Sequence, residues 1–456
     1  MGELKPYPEY KDSGVDWIGQ IPKHWQVMPG RACFYEKNES NIGLKEKTVL
    51  SLSYGKIVVK PEEKLHGLVP ASFETYQVID PGDIVIRPTD LQNDWNSLRF
   101  GLAENRGIIT SAYLCFQTTD KMNSKYGHLL LHTYDLNKVF YGLGSGLRQN
   151  LDWTDFKYLP CLVPSLPEQE AIIRFHRWIN KQLLNLINTK HRFIKLLDEQ
   201  KQVIISSAVT RGLDPNIRLK PSGIEWIGDI PEYWGIQRLR NISTLLVSNV
   251  DKHSKKGEIP IRLCNYTDVY KNEFIHSEMS FKHATATLNE IEKYRIRKDD
   301  VIITKDSEEW LDIGVPAYVT SSASDLICGY HLAIIRPDSS KIMGRFLHWQ
   351  LMSYASRIQF SIRANGVTRY GLSHGAIKEI SLLVPPLSEQ SLIVRFIDNS
   401  ITDLNHIISD TKREIALLHE YRTRMVSDII TGKVDVSKLK IEEIFTNNIE
   451  NNNSPN

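Results

Sequence analysis

The chain has little with which to do chemistry of its own. Only five cysteines occur in 456 residues (Cys33, Cys115, Cys161, Cys264 and Cys328), and no two form C-x-x-C. That spacing supports neither a disulfide framework nor a zinc site, and the thiols read as packed, reduced side chains. No G-x-x-x-x-G-K-[ST] loop, H-E-x-x-H pair or dinucleotide-type glycine turn is present, so the usual ATP, zinc-hydrolase and NAD signatures are missing. The Asn-Pro-Pro-aromatic tetrapeptide of adenine methyltransferases is missing too, since the one Pro-Pro pair, Pro385-Pro386, precedes a helix. Asp299, Asp300 and Lys305 faintly suggest a metal-dependent nuclease, but Ile303 stands where a carboxylate would be wanted. Charge is nearly balanced at +2, which neither demands nor forbids a nucleic-acid partner, because total charge does not report a basic face. The least charged stretch, Leu326 to Ile335, is far shorter than the roughly 20 apolar residues of a membrane helix. Met1 to Pro6 has no signal-peptide core, so no membrane association and a cytoplasmic location are expected.

What the chain does have is itself, twice. Ser13-Gly14-Val15-Asp16-Trp17-Ile18-Gly19-Gln20-Ile21-Pro22-Lys23-His24-Trp25 returns 209 residues later as Ser222-Gly223-Ile224-Glu225-Trp226-Ile227-Gly228-Asp229-Ile230-Pro231-Glu232-Tyr233-Trp234. Val163-Pro164-Ser165-Leu166-Pro167-Glu168-Gln169 returns after 221 residues as Val384-Pro385-Pro386-Leu387-Ser388-Glu389-Gln390. Repetition on this scale fixes the domain plan before any local reading. The tryptophans invite a base-stacking reading, but their apolar surroundings favour a structural one. Between the markers the halves diverge in sequence while keeping an outline. A turn at Pro81-Gly82-Asp83 or Lys298-Asp299-Asp300 leads into the apolar runs Ile84–Ile86 or Val301–Ile303, which read as buried strands. Strands are also expected near Tyr113–Phe116 and Tyr330–Ala333, and helices opening at Gly127 and Gly344.

Each half then runs into a helix. Pro167 and Ser388 suit a first turn, with Glu168 and Glu389 placed to complement its dipole. No Pro or Gly follows before Gly212 and Gly432, which permits helices of roughly 65 Å at about 1.5 Å per residue. In the second, Val394, Ile397, Ile401, Leu404, Ile408, Thr411, Ile415, Leu418, Arg422, Met425 and Ile429 fall on alternating steps of three and four, the seam of a coiled coil. The matching seam in the first helix runs through Ile173, Leu183, Ile187, Ile194, Leu197 and Ile204. Both seams turn polar at equivalent places, Lys190 with Thr411 and Lys201 with Arg422, where polar residues set register. The final residues, Asn447 to Asn456, are too polar to offset their ordering entropy.

One pair of segments has side chains suited to DNA. Gly144-Ser145-Gly146-Leu147-Arg148-Gln149-Asn150-Leu151 is echoed by Ala364-Asn365-Gly366-Val367-Thr368-Arg369-Tyr370-Gly371-Leu372. Glycine permits close backbone approach, and Arg, Gln and Asn suit phosphates and the edges of guanine and adenine. Arg148, Gln149, Asn150, Asn365, Thr368, Arg369 and Tyr370 are the candidate DNA contacts. The competing reading is an ordinary polar loop.

Two copies of S-G-[IV]-[ED]-W-I-G-x-I-P-x-x-W, two of V-P-x-L-x-E-Q, and helices ending near Thr210-Arg211-Gly212 and Thr431-Gly432 resemble the specificity (S) subunits of type I restriction-modification enzymes. The resemblance spans roughly residues 6 to 440. It implies an α+β chain with a pseudo-twofold internal repeat: two similar mixed α/β target-recognition domains separated by an antiparallel coiled coil. The expected segments are a first recognition domain over 1–165, a first spacer helix over 166–212, a second domain over 213–386, a second helix over 387–433, and a largely disordered tail over 434–456. The resemblance also implies double-stranded DNA with a bipartite, asymmetric site as ligand. The partners would be methyltransferase (M) subunits carrying S-adenosylmethionine and restriction (R) subunits using ATP and Mg²⁺, with no catalysis, cofactor or metal in this chain. Two other readings stay open from the residues alone: a duplicated stand-alone nuclease or methyltransferase, and a coiled-coil scaffold that never touches DNA.

Overall fold

The Trp-bearing repeat and the Glu-Gln repeat meet in space. A computed structural model of the chain describes residues 4–61, 63, 72–143 and 149–439. In it the described residues up to Thr189 together with those from Glu414 onward form one compact unit, and Lys190–Arg413 form another. At the base of the first unit, strand Gln26–Pro29 pairs antiparallel with Pro160–Val163, Gln26 facing Val163. The second unit repeats this with Gly235–Arg238 and Ser381–Val384, Gly235 facing Val384. The residue before each first strand is the second Trp of its motif. Trp25 Nε1 donates to Glu168 Oε1 at 2.9 Å, and Trp234 Nε1 donates to Glu389 Oε2 at 3.1 Å. Both indoles are buried, and a buried N–H needs a partner.

The glutamines next to these glutamates are buried as well, and each ties three backbone groups. Gln169 Nε2 donates to Lys121 O and Pro164 O, while its Oε1 accepts from Asn123 N. Gln390 does the same with Lys341 O, Pro385 O and Met343 N. The Glu-Gln pair thus fastens the long helix both to the Trp motif and to the start of the domain helix, Ser124–Leu136 or Gly344–Met352. Replacing Trp25 by Ala should destabilise the first unit by about 3–5 kcal/mol. Trp17 is 45% exposed and meets Tyr134 edge-on at 4.7 Å. It sits in a turn rather than a core, so Trp17→Ala should cost much less. Urea unfolding of the two variants checks this, and equal losses would remove the special place given to Trp25.

Above this base, each unit carries the sheet its outline implied. In the first, Phe34–Lys37, Leu114–Thr118, Ile84–Ile86 and Phe100–Leu102 lie in that order, all antiparallel. The second repeats the order as Ser243–Val247, Leu332–Pro337, Val301–Thr304 and Pro316–Val319, then adds Phe274–Ile275 in parallel at the edge. The carboxylate of the turn before the central strand is buried in both copies. Asp83 accepts from Lys37 Nζ at 2.8 Å, and Asp300 accepts from Arg336 Nε and Nη2, each at 2.8 Å. Asp300 is therefore tied to a guanidinium inside the domain, and Lys305 stands 3.8 Å from Asp306, so these two residues of the faint nuclease pattern are engaged in structural pairs.

The long helices run Leu166–Arg211 and Leu387–Ile430. In the first unit Arg422 Nε donates to Asn180 Oδ1. In the second, Lys201 Nζ donates to Asn405 Oδ1 at 2.7 Å, beside a cluster of Leu197, Leu404 and Ile408 with Ile194 and Ile204. Position rises on one helix as it falls on the other, so they pair antiparallel. Leu183, Ile187, Leu197, Ile397, Ile401, Leu404, Ile408, Ile415 and Met425 are buried, while Ile173, Ile194, Ile204 and Leu418 are half-buried. Toward the helix ends, Ile172 and Ile205 are the more deeply buried neighbours. There the helix also packs on its own domain, and the roughly 20° per heptad drift of a straight helix turns a new edge inward. Gly212 and Gly432 follow the helices at φ +74° and +76°, the left-handed conformation that ends a helix most cheaply with glycine. A Cβ at Gly432 would stand 2.4 Å from Pro22 Cδ, so the second helix ends directly over the first Trp motif. The tail begins packed: Asp435 N donates to Lys5 O at 2.9 Å and Val436 is buried, while residues 440–456 lie outside the described ones. Among the described residues no helix is long and apolar enough to cross a membrane.

Candidate DNA interface

In the second unit, residues 365–371 form a small closed finger. Asn365 N donates to Gly371 O at 3.0 Å and Gly371 N returns to Asn365 O at 2.9 Å. Gly366 has φ +149°, and a Cβ there would overlap Arg369 O at 2.0 Å, so only glycine lets the chain fold back this tightly. Val367, Thr368 and Arg369 occupy the exposed tip. The base of the finger is fastened to a second loop, with Tyr370 paired to Ser307 and Gly371 to Asp306, and Leu372 N donating to Lys305 O at 2.8 Å. Arg369 Nη2 lies 3.4 Å from His331 Nδ1, which lies 2.6 Å from Asp306 Oδ2. The finger and loop border a cavity of about 440 Å³ shared with Tyr266, Tyr270, Glu308 and Asp312. Tyr266 and Tyr270 stack at 5.4 Å, and the hydrogen bond from Tyr270 to Asp312 pushes its phenol up to about 12.

The first unit has a corresponding pairing. Of its predicted loop, Arg148 lies outside the described residues, whereas Gln149 and Asn150 are described. Asp90 N donates to Asn150 Oδ1 at 3.2 Å, and Leu151 N donates to Pro88 O at 2.9 Å. The partner loop, from Pro88 to Asn96, exposes Gln92, Asn93, Trp95 and Asn96. It is propped from below by Arg99, a fully buried guanidinium. Arg99 Nη1 donates to Thr89 O and Nη2 to Asp94 O, each at 2.7 Å, with longer bonds to Arg87 O and Asp90 O. Charge-assisted bonds to so many carbonyls hold a loop in one shape.

The structure thus joins each predicted segment to a loop that the sequence reading missed. A signal was available: each missed loop follows the central strand and carries an exposed Trp, Trp95 or Trp310. Arg99 gave no such signal, because its partners are backbone carbonyls. What the described residues offer is two polar, solvent-facing loop pairings. They are built alike but carry different side chains, with amides prominent in the first unit and acidic residues and Arg369 in the second.

Residues 234–417 match the family described as type I restriction modification DNA specificity domain. The chain is 23% identical over 221 residues to a putative type I restriction enzyme specificity subunit, MjaX, of Methanocaldococcus jannaschii, covering 48% of this chain and 50% of that one. It is 26% identical over 286 residues to the type I restriction enzyme StySPI specificity subunit of Salmonella potsdam, covering 59% and 57%. The chain spans about half the length of the curated relatives it matches. A solved structure from work on complex assembly and conformational transition of the type I restriction-modification system superposes with a TM-score of 0.65 at 12% identity. The match covers 90% of this chain and 98% of that one, a likeness of fold.

Proposed function

We propose that the chain is a type I restriction-modification specificity subunit, the DNA-reading, non-catalytic component of such an enzyme. It recognises a bipartite, asymmetric double-stranded site and docks methyltransferase and restriction subunits, acting in the cytoplasm. S-adenosylmethionine, ATP and Mg²⁺ belong to those partners. The observation that carries the reading is the duplication of a preorganised polar loop pair with different side chains in each copy. Two similar frames suit two similar stretches of groove, while unlike side chains suit unlike bases.

The first unit presents Arg148, Gln149 and Asn150 to its half-site, and the second presents Asn365, Thr368, Arg369 and Tyr370. Co-expression with a type I methyltransferase subunit should give a complex that methylates adenine in one bipartite sequence. Methylation or cleavage by this chain alone, or methylation without sequence preference, would overturn the proposal. Within that complex, Arg369→Ala should weaken binding by about 1–3 kcal/mol and relax one position of the second half-site if the guanidinium meets a base edge. Uniform weakening across sequences would assign it to a phosphate, and unchanged affinity would return the finger to an ordinary polar loop.

A further inference from the structure

The first unit holds a cleft of about 730 Å³ between the hairpin Leu50–Val59, the start of the domain helix Ser124–Leu136, and the long helix from Ile173 to Asn188. Four cations line it, Lys56, Lys125, Arg177 and Lys181, against one carboxylate, Glu104. All four are exposed, and none forms an ion pair within 4 Å among the described residues. His128 and His176 also line the cleft, but burial depresses both, His176 to about 4. The positive charge at neutral pH is therefore that of the lysines and the arginine. Unpaired like charges gathered in one concavity repel one another and focus a field outward.

The scaffold does not require Arg177 and Lys181, because the second copy has neither cation. A shift of 221 residues carries Arg177 to Asp398 and Lys181 to Thr402. Asp398 accepts from Arg345 Nη2 and from Trp349 Nε1, both at 2.9 Å. Arg345 also lies over the ring of Phe274 at 4.2 Å. A charge-paired junction thus occupies this face of the long helix in the second unit.

The cleft also adjoins the reading loop. A Cβ on Gly55, at the hairpin tip, would touch Leu98 Cβ at 3.0 Å. Leu98 lies two residues beyond Asn96, at the end of the exposed Pro88–Asn96 loop, and Tyr54 beside Gly55 is 92% exposed. From there the cationic lining continues onto the long helix.

We propose that this cleft grips the phosphate backbone of DNA beside the half-site read by the first unit. The proposal rests on the DNA-reading function above. Lys and Arg are the side chains that meet phosphate oxygens, joined here by Asn180, Asn185 and Asn188 of the same lining. Such contacts hold the duplex in position without selecting sequence. They also give the otherwise near-neutral chain its own anchor on one side of the bipartite site.

The test uses the complex of this chain with its methyltransferase subunit, carrying Arg177→Gln with Lys181→Gln, and separately Lys56→Gln with Lys125→Gln. All four positions are exposed, so unfolding curves should match the wild type. Affinity for specific and random duplexes should fall together. The slope of log affinity against log salt should shrink by roughly 0.9 per contact removed, and the methylated sequence should not change. Wild-type binding and salt slope in both double variants would overturn the proposal. So would loss of the methyltransferase subunit from the complex without DNA, which would make the cleft a protein-docking surface. A wild-type complex that binds no DNA would sink the DNA-reading function itself, and the cleft's role with it.

Discussion

Exchanging residues 26–162 for the matching segment of a related specificity subunit should change one half of the methylated sequence and leave the other half as it was. The cut points make this a clean exchange. Gln26 follows the buried Trp25, and its strand partner Val163 leads toward Glu168, so the two ends of the insert lie side by side in one antiparallel pair. The same joint exists at Gly235 and Val384, which shows that one frame accepts two different inserts. Everything that fastens the long helix to the Trp motif lies outside the exchanged segment, apart from the backbone groups that Gln169 holds at Lys121 and Asn123. Those are main-chain bonds, indifferent to side-chain identity. Methylome sequencing reads the result directly. A change in both half-sites would mean that the units do not read separately.

The second large effect comes from the helices. Leu197 packs with Leu404 and Ile408, so facing insertion points lie after Leu197 and after His406. One heptad inserted at each point keeps the apolar seam in phase and lengthens each helix by roughly 10 Å, at about 1.5 Å per residue. DNA rises about 3.4 Å per base pair, so the unread spacer of the methylated site should grow by up to about three base pairs. The half-sites themselves should not change, because no loop of either interface is touched. Three added base pairs also rotate one half-site by about a third of a turn, so activity should fall while the recognised bases persist. An active enzyme with its original spacing would show that the helices do not set the distance.

Both experiments draw on features that were legible in the sequence, and the reason is physical. Trp25 and Trp234 are rare residues whose spacing to Gly and Pro is fixed by turns, and the seam from Ile397 to Met425 is a period imposed by one helix on another. Local rules and rare residues survive divergence, so the repeat, the helices and the strand Ile84–Ile86 could be read directly. The segment at 364–372 was singled out by its glycines and its echo in the first half, but its closure between Asn365 and Gly371 was not read. What could not be read depends on contacts between distant, divergent segments. Arg99 supports the Pro88–Asn96 loop through carbonyls of any residue type. The charged cleft needs the hairpin Leu50–Val59 to lie across the long helix, and neither segment announces the other. The half-buried Ile173 and Ile204 show the limit of a seam argument where a helix serves both a partner and a domain.

The placement of Ile429, Ile430 and Val436 in the core of the first unit bears on how the chain matures on the ribosome. Sequence-distant contacts must wait for their second half to be synthesised, and domains generally fold as units as the chain emerges. The second unit draws only on residues 190–413, so it has all its parts before the first unit has received its last ones. The first unit starts earlier yet finishes later, its apolar floor open under Trp25 until the final helix turns arrive. A released chain cut short between residues 413 and 430 therefore holds every residue of the second unit but lacks the last apolar residues of the first, so the unit made earlier is the one left with an open floor.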